Sequence, residues 1–510
     1  MKKHAPAWYV GKIVPAATLL AAAVCFLVLA RSGLLPGKYL ALIGLGELAG
    51  FGLTLFLTRR TRPHIRFMAG VLLGLLLTVA LLIATVAVGR TVATMRAITG
   101  RSGELVDVGF YVRAGDARQT LDPADHLTYG ILEDLDRDAT DGAMQEAFDE
   151  FGYMLAYKGY DGLPGLVEAL FSKEVDAIIM NTAYVEVLEE MEDYSDIQSR
   201  IRQVRLSHVA VEEPAKSAPP EDVLVGNVRE NVTPRTVLEG DKEDSKEAEP
   251  QGEIFTIFIS GIDNRGELIP RSRSDVNIIA SVNTATRQVA LISTPRDFYV
   301  PLSISNGMPD KLTHAGIYGV QVSMDTLGML FGVDVDYYFR VNFAGFVEII
   351  DTLGGVEVWS DYEFKAGQYE YVVGNNQMDG EKALAFVRER YAFNSGDRQR
   401  GKNQMAVIRA CLKKCMEPEM LLHYNDLLTA AAGSFEASMP YDLLSSLVRL
   451  QLEEGGEWNV VSYSVDGRGD SQVPWSMSQE AYVMVPDKTT VAAAKHMIAQ
   501  VYGGLTVTKP

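Results

Sequence analysis

The sequence predicts an α/β protein carried on a membrane anchor: three N-terminal transmembrane helices, a small extracellular α/β accessory domain and a C-terminal mixed α/β domain. Three observations predict it. At 510 residues the chain is longer than one hydrophobic core usually organises. Its apolar residues (47%) and its net charge of -19 lie in different places: the first 90 residues hold ten Lys/Arg and one acid, Glu47, a balance of +9 that leaves −28 for the rest. Strand-like and helix-like runs then alternate in two stretches separated by a polar segment. This composition excludes a wholly disordered chain, a small disulfide scaffold and a generally basic nucleic-acid binder, so no nucleic-acid partner is expected.

The anchor, residues 1–90, contains three apolar runs, Ile13–Ala30, Tyr39–Leu57 and Phe67–Gly89. Each approaches the ~20 residues a helix needs to cross a bilayer. Glu47, in the second, is tolerable only against a neighbouring helix or water. Lys2 and Lys3 before the first run also suit a signal peptide, but two further spans would remain after cleavage. Lys2, Lys3 and Lys12 at the amino end, and Arg59, Arg60, Arg62 and Arg66 in the second loop, outnumber Arg31 and Lys38 in the first. Positive-inside bias puts the amino end in the cytoplasm, and three spans deliver residues 90–510 outside. Cys25, Cys411 and Cys415 read as ordinary thiols, with no His or Cys cluster to complete a metal site.

Residues 91–208 form the accessory domain: VDVGFYVRA and VDAIIMNTAYV read as strands, GLPGLVEALFSK as a helix. The stretch YDGLPGLVEALFSKEVDAIIMNTAY resembles the helix–strand unit at the ligand cleft of extracellular solute-binding domains; a packing module without a ligand explains it equally. Residues 209–252 are rich in Pro, Glu, Asp, Ser and Lys and read as an acidic flexible linker. The sequon at Asn231 carries no weight.

Residues 253–510 are the larger domain. FTIFISGID, VNIIASVN and QVALIST read as strands; VSMDTLGMLFG, NFAGFVEIIDTLG, GEKALAFVRER and KNQMAVIRACLKK read as helices. Charged residues gather at their ends: Asp263 after Gly261, Arg273 and Asp275 in SRSD, Arg296 in STPRD, Arg388 and Arg390 in RER, then Asp397 and Arg400 in the loop SGDRQRGKNQ, with Gln404 entering the next helix. Guanidinium forks hold phosphate oxygens bidentately, and Asp pairs hold Mg²⁺, so the set points to a phosphate-ester site. Each piece has a plainer reading as a surface ion pair or helix-end charge. No GxxxxGK[ST] loop and no GxSxG elbow occur, which excludes a P-loop enzyme and an ordinary esterase.

In order, SGID, SRSDVNIIASVN, STPRDFYVPL, DKLTHAGIYG, YYFRVNFAGFVEIIDTLGGVEV, DGEKALAFVRERYAF and GDRQRGKNQ resemble the core of the LytR-CpsA-Psr family over Phe255–Lys414, and the three-span layout resembles its CpsA-type members. The resemblance implies a membrane-anchored phosphotransferase. It would move a phosphate-linked glycopolymer (capsule, teichoic acid or similar) from an undecaprenyl-pyrophosphate carrier to peptidoglycan outside the membrane. By the same resemblance, Asp263 and Asp275 would ligate Mg²⁺. Arg273, Arg296, Arg388, Arg390, Arg400 and Gln404 would bind the pyrophosphate, with Arg296 and Arg400 also catalytic and Asp397 activating the acceptor hydroxyl. Asn403 stands where the family often has Arg. His314 is set aside as structural. The alternatives are a pyrophosphatase acting on the same lipid and a non-catalytic lipid-carrier receptor.

Overall fold

The computed structural model describes residues 6–59, 64–98, 104–122, 126–133, 135–211, 252–262, 271–393, 396–417, 434–477 and 479–510. Asn231, most of the linker and Asp263 lie outside them. The chain divides into two compact units: Met1–Gly100 with Lys413–Ala432 and Met439–Glu457, and Arg101–Leu412 with Gly433–Ser438 and Trp458–Pro510.

In the first unit, α1 (Pro6–Ser32), α2 (Gly37–Thr58) and α3 (His64–Ile98) each contain a stretch long and apolar enough to cross a membrane. With lipid on the outside there is little hydrophobic force between such helices, so small residues and interhelical hydrogen bonds hold them together. A Cβ on Gly74 of α3 would lie 2.4 Å from Val14 Cγ1 of α1. One turn on, Thr18 Oγ1 donates to Gly74 O at 3.1 Å. Glu47 lies within α2, and its Oε1 is buried without a hydrogen-bond partner among the described residues. The helix Tyr441–Glu454 belongs to this unit: Tyr441 Oη donates to Ser32 O (2.5 Å), and Glu453 O accepts from Lys38 Nζ (2.9 Å), so both ends of that helix hold the first loop.

The second unit begins with β1 (Glu104–Arg113), β2 (Thr128–Leu132), α4 (Arg137–Phe151), β3 (Ala156–Tyr160), α5 (Leu163–Phe171), β4 (Ala177–Asn181), α6 (Tyr184–Glu189) and β5 (Ile201–Val211). Their sheet has the order β3-β2-β4-β1-β5; β2 runs parallel to β3 and β4, and β1 antiparallel to β4 and β5. Pro164 stands in the first turn of α5, where its missing N–H costs nothing, and Leu163, Leu166, Val167 and Leu170 are buried. The strand read over VDAIIMNTAYV stops at Asn181. Its Oδ1 accepts from Ala183 N (3.0 Å), a local bond that competes with the sheet ladder and turns the chain into α6.

The larger domain contributes β6 (Ile254–Ile262), β7 (Val276–Asn283), β8 (Gln288–Thr294), α7 (Val320–Phe331), β9 (Tyr337–Asn342), α8 (Phe343–Thr352), α9 (Gly380–Arg388), α10 (Asp397–Cys415), β10 (Phe435–Ala437), β11 (Asn459–Ser464) and α11 (Lys488–Tyr502). Its sheet has the order β10-β9-β6-β7-β8-β11, antiparallel along β6-β7-β8 and parallel where β9 meets β6 and β11 meets β8. β8 is buried throughout, which explains its unbroken apolar and small-residue run.

One apolar core joins the accessory sheet to this domain. Leu166, Leu170, Ile178 and Tyr184 pack in the same cluster as Leu302, Ile317, Tyr318, Val322 and Met477. Asn181 Nδ2 donates to Asp136 Oδ2 (2.7 Å), and Arg271 of the larger domain bonds the other oxygen of Asp136 at 3.2 Å. The two domains therefore fold as one body.

Candidate active site

The β7–β8 hairpin pairs Asn277 with Thr294, so the residue entering β7 and the residues leaving β8 emerge at the same sheet edge. Asp275 and Arg296 consequently face each other, with Arg296 Nη1 2.7 Å from Asp275 Oδ1 and Arg296 Nε 3.7 Å from Asp297 Oδ2. Burial lowers the Arg296 guanidinium's pKa, but Asp275 and Asp297 outweigh it and hold the group above its ordinary value. The parallel pairing of β11 with β8 ends Ser464 at this edge too.

The fourth wall comes from α10. The sequence stretch read as the loop SGDRQRGKNQ is helical from Asp397, which puts Arg400 and Gln404 one turn apart on one face. Gly401 makes this approach possible: a Cβ there would lie 2.6 Å from Ser293 Oγ. A cleft results, lined by Asp275, Asn277, Ser293, Thr294, Arg296, Arg398, Arg400, Gly401, Gln404 and Ser464. Three arginines and the Asp275 carboxylate line it, with Arg296 also meeting Asp297 and Arg398 meeting Asp466; guanidinium forks gathered in this way suit the oxygens of an anion. The oxygens of Asn277 Oδ1 and Thr294 Oγ1 are buried and have no hydrogen-bond partner among the described residues. With Asp275 they form an oxygen-only donor set of the kind hard divalent cations take.

Of the residues named from sequence, Asp275, Arg296, Arg400 and Gln404 meet in this cleft. Asp397 opens the helix that carries Arg400. Arg388 lies over the Phe343 ring (4.3 Å), and Arg390 over the Tyr391 ring (4.7 Å), donating to its hydroxyl at 2.5 Å. Arg398 was not singled out from sequence, although it stands two residues before Arg400 in the same motif; it pairs with Asp466. Asn403 ties α10 to α9: Gln399 Nε2 donates to its Oδ1 at 3.0 Å and its Nδ2 donates to Phe386 O at 3.2 Å.

Arg273 has a setting the sequence did not foretell, because its partners come from the accessory domain. Its Nε donates to Glu186 Oε2 (2.8 Å) and its Nη1 to Glu190 Oε1. Lys311 Nζ bonds Glu190 Oε2 (2.5 Å), and His314 Nε2 lies 3.9 Å from the same oxygen. His314 is fully buried, its Nδ1 engaged by Asp310 Oδ1 (2.7 Å) and Ser476 Oγ (3.0 Å). Gly316 lets the backbone of Ser272–Ser274 pack close to it, since a Cβ would come within 2.4 Å of Ser272 O.

Burial would raise the Glu190 carboxyl, but His314, Lys311 and Arg273 overcome it and hold the group down at about 2. A carboxyl depressed in the folded state stabilises above its unfolded value, near 4.5, and loses that contribution as pH falls toward 2. Glu190→Gln is therefore expected to cost about 3 kcal/mol at neutral pH by leaving buried cations unmatched. It should also flatten the loss of thermal stability between about pH 5 and pH 2. Melting curves across that range check both; a variant that follows the wild-type acid profile would show that Glu190 is not the group responsible.

Comparison with known proteins places the chain. The model of the LytR_cpsA_psr family matches residues 225–498. The chain is 32% identical over 192 residues to the polyisoprenyl-teichoic acid–peptidoglycan teichoic acid transferase TagU of Enterococcus faecalis, covering 37% of this chain and 63% of that protein. Against TagU of Bacillus cereus it is 35% identical over 193 residues, 38% and 62% of the two chains. The matched stretch thus spans just under two thirds of the length of these relatives. Among solved structures, B. subtilis TagV is 22% identical with a TM-score of 0.42, covering 50% of this chain and 98% of that one. TagT bound to LI-WTA is 25% identical with a TM-score of 0.40, covering 51% and 94%.

Proposed function

The chain belongs to the LytR-CpsA-Psr family, and on that footing we propose that it is a phosphotransferase moving a phosphate-linked glycopolymer from an undecaprenyl-pyrophosphate carrier to peptidoglycan. The observation that carries the proposal is the cleft itself: Asp275 paired with Arg296, and Arg398, Arg400 and Gln404 on the facing wall.

The diphosphate meets these residues at the mouth of the cleft, whose interior of about 10 Å³ holds no more than a water. Arg296 and Arg400 neutralise charge on the phosphorus under attack and on the departing oxygen, as phosphoryl transfer chiefly requires. A peptidoglycan hydroxyl attacks the sugar-proximal phosphorus. The new P–O bond joins polymer phosphate to acceptor while the bond to the bridging oxygen breaks, and polyprenyl phosphate leaves with that electron pair. The acceptor's proton passes to a base, for which Asp397 is our candidate. Asp275 and Asp263 would hold Mg²⁺, which supplies further charge neutralisation when bound. Arg273, Arg388 and Arg390 lie outside the cleft wall, Arg273 held by Glu186 and Glu190, so the anion is assigned to Arg296, Arg398 and Arg400. Incubating the full chain in detergent with a lipid-pyrophosphate oligosaccharide is expected to consume the lipid with Mg²⁺ and not with EDTA. Equal consumption under both conditions would remove the metal, and none under either would remove the enzyme.

We place this chemistry outside the cell membrane, with the amino end in the cytoplasm. The loop charges support that orientation. Three spans put the first loop and residues 90–510 on one side, and the bonds from Tyr441 and Glu453 to that loop agree with the parity. Gly33→Cys in a chain with Cys411→Ser and Cys415→Ser is expected to react with a membrane-impermeant maleimide in intact cells; labelling only after lysis would reverse the orientation.

A further inference from the structure

A second cavity, of about 360 Å³, opens beside the Arg273 cluster, within the range of small-molecule sites. Tyr111, Thr182, Glu186, Gln198, Gln203 and Ser272 line it. Two of these are brought together by a strand irregularity: the β1–β5 register shifts between Phe110 and Tyr111, which sets Tyr111 opposite Gln203. Arg271 pairs with Asp136 and Glu186 with Arg273, and Arg271 Nη2 adds one buried donor to the wall. The other polar groups are neutral. The Tyr111 hydroxyl, Thr182 hydroxyl and the Gln198 and Gln203 amides make no side-chain hydrogen bond among the described residues. The Ser272 hydroxyl, in a residue 8% exposed, is buried without a partner.

Unmatched hydroxyls and amides beside apolar Val185 and Ile201 suit neither an anion nor a hydrocarbon. They suit a neutral ligand with hydroxyls, acetamido groups and apolar ring faces. We propose that this cavity binds a saccharide unit of the transfer reaction. Its location fits, because Ser272 is three residues from Asp275, at most about 11 Å of chain. A sugar seated here therefore lies next to the diphosphate cleft. The class of ligand follows from the wall; its place in the reaction rests on the transferase reading, and the sugar belongs either to the acceptor glycan or to the donor's first residues.

The test titrates the full chain in detergent, by calorimetry, with the neutral disaccharide N,N′-diacetylchitobiose, which carries the hydroxyls and acetamido groups of the glycan without its carboxylate. Wild type is expected to bind saturably. Gln198→Ala/Gln203→Ala, which alters two exposed side chains, should weaken binding about 10- to 30-fold through two lost hydrogen bonds. Thr182→Val, which keeps the wall's volume, should weaken it about fivefold. Repeating the titration on protein saturated with farnesyl-pyrophosphate-linked N-acetylglucosamine separates the sources: undiminished binding assigns the cavity to the acceptor, mutual exclusion to the donor sugar. No saturable binding, or binding unaltered in both variants, overturns the proposal. Lipid turnover is read separately, so failure here leaves the transferase reading standing, and the reverse also holds.

Discussion

Arg296→Ala is expected to lower Mg²⁺-dependent turnover of the lipid-linked donor by about 10²- to 10³-fold, the size of loss seen when one preorganised charge-stabilising donor is removed. The reason is local. Arg296 lies between Asp275 and Asp297, and without it two carboxylates would face an incoming diphosphate across a narrow cleft. Arg296→Lys restores the charge but not the planar fork, so it should recover only part of the rate. A loss confined to KM would make Arg296 a binding group alone, and unchanged turnover in Arg296→Ala would place the chemistry elsewhere.

Residues 253–510 expressed alone are expected not to fold cooperatively, whereas residues 101–510 are. Removing the accessory domain uncovers Leu302, Ile317, Tyr318, Val322 and Met477. At about 1.5–3 kcal/mol each, their exposure forfeits roughly 10 kcal/mol, as much as the whole net stability of an ordinary domain. It also removes both carboxylates from Arg273. Urea unfolding followed by circular dichroism distinguishes the cases: a sharp transition in the short piece would show that the accessory domain is dispensable for folding.

Much of this was legible in the sequence because it is local. The strands FTIFISGID, VNIIASVN and QVALIST appear within a residue or two of their predicted places, since apolar runs bounded by turn residues carry their own signal. The juxtaposition of Asp275, Arg296, Arg400 and Gln404 was readable through motif order, though the geometry that makes it, a hairpin register and a glycine under a helix, was not. The helix starts five residues earlier than the sequence predicts, at Asp397 and not Lys402, because the polar residues of that first turn hide a face that only the sheet edge defines. The partners of Arg273 were out of reach for a different reason. Glu186 and Glu190 lie more than 80 residues away in another domain, and no spacing rule links them. The same holds for the shared core, which exists only once two sequence-separate modules are packed.

The most direct measurement is the product formed when the full chain meets a lipid-pyrophosphate oligosaccharide, Mg²⁺ and peptidoglycan oligomers, analysed by mass spectrometry. The account predicts oligosaccharide joined to the glycan through a phosphodiester, with one polyprenyl monophosphate released per linkage. Free phosphorylated oligosaccharide with unmodified glycan would contradict it, because the cleft would then be passing the phosphoryl group to water.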